Sequence, residues 1–198
     1  MFAKICGLTN LEDALAAVES GAGALGFNFY PSSLRYIDPS DLAGWIGTLP
    51  SHVWKVGVFV NEAPTRVAEI AKLLALDVVQ LHGDESPEDF PKGMRVWKAA
   101  RVDSTFALSN LDSYPTEAVL LDGGSSFPYG GSGETFDWTL AAGSSRNVIL
   151  AGGLDANNVR LAIERARPWG VDACSRLESA PGKKDHNRMA QFLKAVLT

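Results

Sequence analysis

Eight short runs, most of them nearly continuous in apolar residues, recur along the chain: Ala3–Gly7, Ala24–Phe29, Trp54–Val60, Val78–Gly83, Val96–Arg101, Ala118–Asp122, Val148–Gly152 and Val171–Ser175. Runs without polar alternation read as strands covered on both faces, the habit of parallel sheets. Segments with helical character lie between them. Thr9 followed by Glu12 fits a capping box opening a helix over Leu11–Ser20, and Asp38 before Pro39 sets a cap ahead of a first-turn proline. Val67, Ile70 and Leu74 fall at i, i+3 and i+7, while Met189, Phe192, Leu193, Val196 and Leu197 make the stripe of a last helix. Seven or eight helical segments between the strands predict an α/β chain with a parallel sheet. Closure as a (β/α)8 TIM barrel is the simplest solution, although an open doubly wound sheet has the same local pattern. No linker, charge run or low-complexity tract divides the 198 residues, so residues 1–198 read as one compact barrel domain.

Composition narrows the function. With 18 basic against 23 acidic side chains, a net charge of −5 offers no electrostatic reason to bind nucleic acid. Glu12, Asp13 and Glu19 in the opening segment read as neither a signal nor a transit peptide, and no apolar run is long enough to predict a membrane span. Two cysteines make no disulfide framework, which points to a reducing cytoplasm. The three histidines, His52, His82 and His186, are scattered, so no metal cluster is expected.

Polar residues at the ends of apolar strands carry the chemistry. In a closed barrel, active sites gather where the strands end. Strand 1 ends Lys4-Ile5-Cys6-Gly7, and alternation puts Lys4 and Cys6 on one face. Strand 4 ends Gln80-Leu81-His82-Gly83, strand 6 ends at Asp122 and strand 8 contains Asp172 and Cys174. Each has a plain structural reading: a buried cysteine is a small hydrophobe, His82 a satisfied core histidine, Asp122 a turn residue. Their recurrence on one rim favours a site, because a buried polar group costs free energy unless paired or used.

Glycine-rich segments follow the last strands: Gly130-Gly131-Ser132-Gly133, Gly152-Gly153, and Ser175 to Gly182. Loops at these places build phosphate sites from backbone N–H groups, so a phosphorylated small-molecule ligand is expected. Arg35, within Tyr30–Tyr36 after strand 2, suits a carboxylate-bearing planar ligand; a solvated surface arginine is its bland counterpart.

Together these segments resemble the phosphoribosylanthranilate isomerase family of tryptophan biosynthesis. The resemblance is carried by Lys4-Ile5-Cys6-Gly7-Leu8-Thr9, Gly26-Phe27-Asn28-Phe29-Tyr30, Ser33-Leu34-Arg35-Tyr36 and Val79-Gln80-Leu81-His82-Gly83-Asp84-Glu85. Leu121-Asp122, the Gly130–Gly133 segment before Thr135-Phe136-Asp137-Trp138, Leu150–Leu154 and Glu178 through Asp185 continue it to the end of the chain. It implies an Amadori rearrangement without metal or organic cofactor, in a monomer or homodimer. Asp122 would be the general acid that opens the furanose ring and Cys6 the general base at C2. Arg35 would hold the anthranilate carboxylate, Gln80 and His82 would face the substrate, and Asp172 would lie near the ribose hydroxyls. Gly131, Ser132, Gly133, Gly152, Gly153, Ser175 and Arg176 would surround the phosphate.

These roles require Asp122 to keep a proton near neutral pH and Cys6 to lose one, for which Lys4 is the expected stabilising charge. The chain departs from the family where Cys174-Ser175-Arg176-Leu177 replaces the usual Ser-Ser-Gly-Val and where Glu134 stands for a common lysine. Strands 1 and 8 adjoin in a closed barrel, which sets Cys174 beside Cys6 as a packing substitution or, when oxidised, as a link. The competing readings are another phosphosugar isomerase or epimerase and a barrel that binds a phosphorylated ligand without turning it over.

Overall fold

The structure, a computed structural model, describes residues 1–103, 105–123 and 135–198. Eight parallel strands follow one another around a closed barrel: β1 (Phe2–Ile5), β2 (Ala24–Asn28), β3 (Trp54–Phe59), β4 (Val78–Leu81), β5 (Val96–Arg101), β6 (Ala118–Asp122), β7 (Asn147–Leu150) and β8 (Gly170–Ala173). β1 pairs with β8, placing Lys4 opposite Asp172 and Ile5 opposite Ala173. That ladder removes the sheet edge that an open doubly wound fold would keep.

Strand alternation divides the core in two. Ile5, Leu25, Phe27, Val79, Leu81, Val119 and Leu121 face outward into the layer beneath the helices. Ala24, Val56, Val78, Trp97, Ala99, Ala118, Leu120, Ile149 and Ala151 fill the barrel. At the N-terminal mouth, Phe2, Trp54, Trp97 and Trp169 pack with ring centroids 4.8–5.9 Å apart. Arg95 lies 4.4 Å over Trp54, and Glu117 binds both Arg95 and the Trp97 indole. With this end plugged by aromatic rings, polar groups inside the barrel face the other one.

The α-helices are α1 (Leu11–Glu19), α2 (Pro39–Ala43), α3 (Pro64–Leu73), α4 (Val159–Ala166) and α5 (His186–Leu197). Asp38 caps α2 with Pro39 in its first turn, as the sequence predicts. Fewer helices form than the strand count suggests. Among the described residues, the connections after β4, β5 and β6 contain only the 3-10 turns Pro87–Asp89, Leu108–Leu111 and Trp138–Ala141. Pro87, Pro91 and Gly93 interrupt the first of these segments.

The expected capping box at Thr9 also does not form. Asn10 caps α1 by accepting from the Asp13 N–H at 2.8 Å, while the Thr9 hydroxyl donates to the Gly182 carbonyl at 2.6 Å. A short hairpin, β9 (Glu178–Ala180) with β10 (Lys183–Lys184), is tied back to α1 because buried Asp13 accepts from the Lys184 N–H. The ladders of β1, β4, β7 and β8 stop two residues before the ends expected from sequence, leaving Cys6, His82, Gly152 and Cys174 just past the paired rim. Gly7 and Gly152 adopt φ of 72° and 79°, which turns the chain out of its strand at two of these places. No helix is long and apolar enough to cross a membrane among the described residues.

Candidate active site

The site is built upward from one buried charge. Lys4 is 0% exposed, and its Nζ lies 3.0 Å from Asp172 Oδ1 across the β1–β8 ladder. Burial alone depresses a lysine pKa, but the charges of Asp172 and Cys6 outweigh it, so Lys4 stays protonated well above its ordinary range. Asp172 is pushed up to about 7, chiefly by burial; Lys4 opposes the rise, and the charges of Cys6 and Asp122 add to it. Lys4 meets Asp172 directly, and Asp172 and Asp122 line one cavity.

Cys6 follows Lys4 on the same inward face. Its thiol lies well below the usual cysteine range because the Cys174 thiol hydrogen-bonds to it and the Lys4 ammonium attracts the thiolate, together outweighing burial. Gly26 on β2 makes the room: a Cβ there would meet Cys6 Sγ at 2.8 Å and Lys4 Cε at 3.0 Å.

β4 and β6 contribute the facing groups. Buried Gln80 meets His82 Nδ1 through its amide Nε2 at 3.0 Å, and His82 Nε2 lies 3.4 Å from Asp122 Oδ2. Asp122 ends β6 as a paired strand residue, its carbonyl accepting from Val102 N–H at 2.9 Å, and is not a free turn residue.

Arg35 reaches the rim from the loop after β2, which Asn28 fastens by accepting from the Tyr30 N–H at 2.8 Å. The Arg35 fork is engaged: Nε and Nη2 donate to the two carboxylate oxygens of Glu178 at 2.9 and 2.8 Å. Glu178 Oε1 also binds Lys184 Nζ at 3.0 Å. The guanidinium carries five N–H groups, so its terminal edge, Nη1 with the second proton of Nη2, faces away from this pairing. A Cβ at Gly7 would strike Arg35 Cδ and Cys174 Sγ at 2.8 Å, which fixes glycine between them.

Asp122, Gly152, Gly153, Asp172, Ser175 and Arg176 line one cavity. Gly152 and Gly153 have φ of 79° and 60°, so bare backbone forms that wall. Arg176 pairs with Asp155 at 3.3 Å, and Ser175 opens a 3-10 turn over Ser175–Leu177. Gly131, Ser132 and Gly133, together with Glu134, lie outside the described residues.

The structure thus brings Cys6, Asp122, Gln80, His82, Arg35, Asp172, Gly152, Gly153, Ser175 and Arg176 to one end of the barrel. Two contributors escaped the sequence reading as site residues. Glu178 meets Arg35 across 143 positions, a pairing that no local pattern announces. Lys184 is a 0%-exposed cation below Cys174, its Nζ donating to the Cys174 carbonyl at 3.3 Å. Among the described residues, no group of three or more His, Cys, Asp or Glu is arranged to hold a metal ion.

The profile of the N-(5′-phosphoribosyl)anthranilate (PRA) isomerase family matches residues 3–195. The chain belongs to this family. An N-(5′-phosphoribosyl)anthranilate isomerase from Solibacter usitatus is 57% identical over 196 residues, covering 99% of this chain and 97% of the relative. The solved phosphoribosylanthranilate isomerase of Thermotoga maritima superposes with a TM-score of 0.88 at 43% identity, covering 100% and 98% of the two chains. A second solved isomerase, in complex with reduced 1-(o-carboxyphenylamino)-1-deoxyribulose 5-phosphate, superposes with a TM-score of 0.85 at 40% identity and the same coverage.

Proposed function

We propose that this phosphoribosylanthranilate isomerase opens and rearranges N-(5′-phosphoribosyl)anthranilate with Asp122 as general acid and Cys6 as general base. The observation that carries the reading is the Lys4–Asp172 pair, which sets a buried positive charge against Cys6 while Asp122 faces the same space from β6. Asp122 donates its proton to the furanose ring oxygen; the C1–O bond breaks and the anilino nitrogen supplies the electron pair of the Schiff base. The Cys6 thiolate then takes the proton from C2, leaving an enolamine that tautomerises to the 1-deoxyribulose product. Each step couples a proton transfer to a bond rearrangement within the substrate, with no net oxidation, so acids and bases suffice for the chemistry.

Binding divides along the rim. The terminal edge of Arg35 meets the anthranilate carboxylate while Glu178 steadies the other edge. The phosphate lies against Gly152, Gly153, Ser175 and Arg176. Asp172 accepts from a ribose hydroxyl, and Gln80 with His82 forms the wall beside Asp122.

The test is to generate the labile substrate in situ and follow its anthranilate-type fluorescence. The reading expects enzyme-dependent decay of that signal. Tight binding of the reduced product analogue without decay would identify a ligand-binding barrel instead.

A further inference from the structure

Two thiols share the rim of the site. Cys6 and Cys174 are the chain's two cysteines, one following β1 and the other β8. Ile5 pairs with Ala173 in the last register of that ladder, and the Cys6 N–H donates to the Ala173 carbonyl at 3.0 Å. Neighbouring strands run about 4.8 Å apart, inside the Cα separation that a disulfide spans. Each thiol shifts the ionisation of the other, and Cys174 Sγ also lies 3.9 Å from Glu178 Oε1 and 3.8 Å from Lys184 Nζ. Both are half-buried rather than sealed, and Cys174 lines the cavity beside Asp172 and Arg176.

The two sulfurs are also electrically unequal. Cys6 has Lys4 behind it and leans toward thiolate. Cys174 leans the other way, pushed up by its interaction with Cys6 and by burial, although Lys184 and Arg35 pull it down. An attacking thiolate beside a protonated resolving thiol is the arrangement that peroxide chemistry uses. The proposed isomerase reaction employs Cys6 alone and has no task for Cys174.

We infer that Cys6 and Cys174 form a peroxide-reactive dithiol site, closing to an intramolecular disulfide that silences the enzyme reversibly. The Cys6 thiolate attacks one oxygen of hydrogen peroxide, the O–O bond breaks, and the departing hydroxide is protonated to water. Cys6 becomes a sulfenic acid. Cys174 loses its proton and attacks the Cys6 sulfur; the S–S bond forms, the S–O bond breaks, and the second oxygen leaves as water. Two thiols are oxidised and one peroxide is reduced to two waters. A thiol reductant reverses the sum by exchange. Loss of activity on closure rests on Cys6 being the base; the bond itself does not.

The experiment exposes the purified chain to near-stoichiometric hydrogen peroxide, quenches with iodoacetamide under denaturing conditions, and reads intact mass, peptide map and turnover. The expected result is an unalkylated monomer about 2 Da lighter than the reduced chain before alkylation, carrying a Cys6–Cys174 linked peptide, with at least tenfold lower turnover that dithiothreitol restores. In Cys174→Ser the linked peptide is absent; when both proteins are given a severalfold excess of peroxide, a second peroxide carries the variant's Cys6 on to the sulfinic acid, and reductant does not recover that variant's own starting rate. Cys174→Ala provides the same comparison without a hydroxyl. Two alkylatable thiols after treatment, a disulfide-linked dimer, or equal recovery in Cys174→Ser would overturn the inference. Closure with turnover intact would support the bond and count against Cys6 as the base, so the two claims fail separately.

Discussion

Lys4 Nζ sits 3.0 Å from Asp172 Oδ1 with no exposure to solvent, and the next inward residue above it on the strand is Cys6. A buried pair of this kind is poor evidence for stability, since desolvation cancels much of the attraction. Its consequence is electrostatic. A cation fixed within a few ångströms moves an acid by about 1–3 pH units. Lys4→Met should therefore raise the inflection of the Cys6 alkylation profile by at least about one unit, read with iodoacetamide by mass. Lys4→Met combined with Asp172→Asn leaves no unpaired buried charge and should show the same rise. An unmoved profile in both variants would remove Lys4 from the activation of Cys6.

Asp172 adds a pH signature of its own. Its carboxyl titrates at about 7, so as pH rises through neutrality a negative charge appears beside Cys6. That charge opposes the thiolate. The alkylation profile of the native chain should carry a shallow inflection near pH 7 that is absent in Asp172→Asn. A single smooth titration in both proteins would contradict the coupling.

Glu178 grips Arg35 with both oxygens and Lys184 with one, linking the loop after β2 to the hairpin after β8. Burial pushes its carboxyl up, but hydrogen bonds from Arg35 and Lys184 win, so the folded value lies below the ordinary one. The sign follows: the contribution to stability is present above about pH 4.3 and is lost as pH falls through the folded value. Glu178→Gln should flatten the acid limb of a stability–pH curve. It should also raise KM on the order of tenfold with little change in kcat, because Arg35 loses its charged brace. A fall in kcat at constant KM would place Glu178 in the chemistry instead.

The two ends of the barrel should respond differently. Trp97 is 0% exposed, packs against Phe2, Trp54 and Trp169, and donates to Glu117. Trp97→Ala should cost about 3–5 kcal/mol in a denaturant titration and leave the KM of the folded fraction unchanged. Gly26→Ala should do the opposite. Its new methyl presses on Cys6 and Lys4, costing about 1–3 kcal/mol but lowering kcat/KM by at least tenfold. Equal losses of activity per unit of stability in the two variants would show that Gly26 acts through folding alone.

The barrel was legible because its strands are short, apolar and regularly spaced, and because alternation is indifferent to what packs around it. Cys6, His82, Asp122 and Asp172 were legible for the same reason, as polar residues interrupting greasy runs. The α1 cap was misplaced because Thr9 and Asn10 are both capable caps, and the tertiary bond from Thr9 to Gly182 decided between them. Helices expected after β4, β5 and β6 are single 3-10 turns in the described segments, and Pro87, Pro91 and Gly93 interrupt the first of them. Glu178 could not be found as the partner of Arg35 from sequence, because closure of the barrel, and not a local motif, brings the two together.

The central claim is the division of labour between Cys6 and Asp122, and paired kinetics with binding test it most directly. Cys6→Ser and Asp122→Asn should each lower turnover of in situ-generated substrate by about 10²–10⁴-fold. Each should still bind the reduced product analogue within about threefold of the native affinity, because neither holds the carboxylate or the phosphate. Either variant turning over at near-native rate would contradict the account.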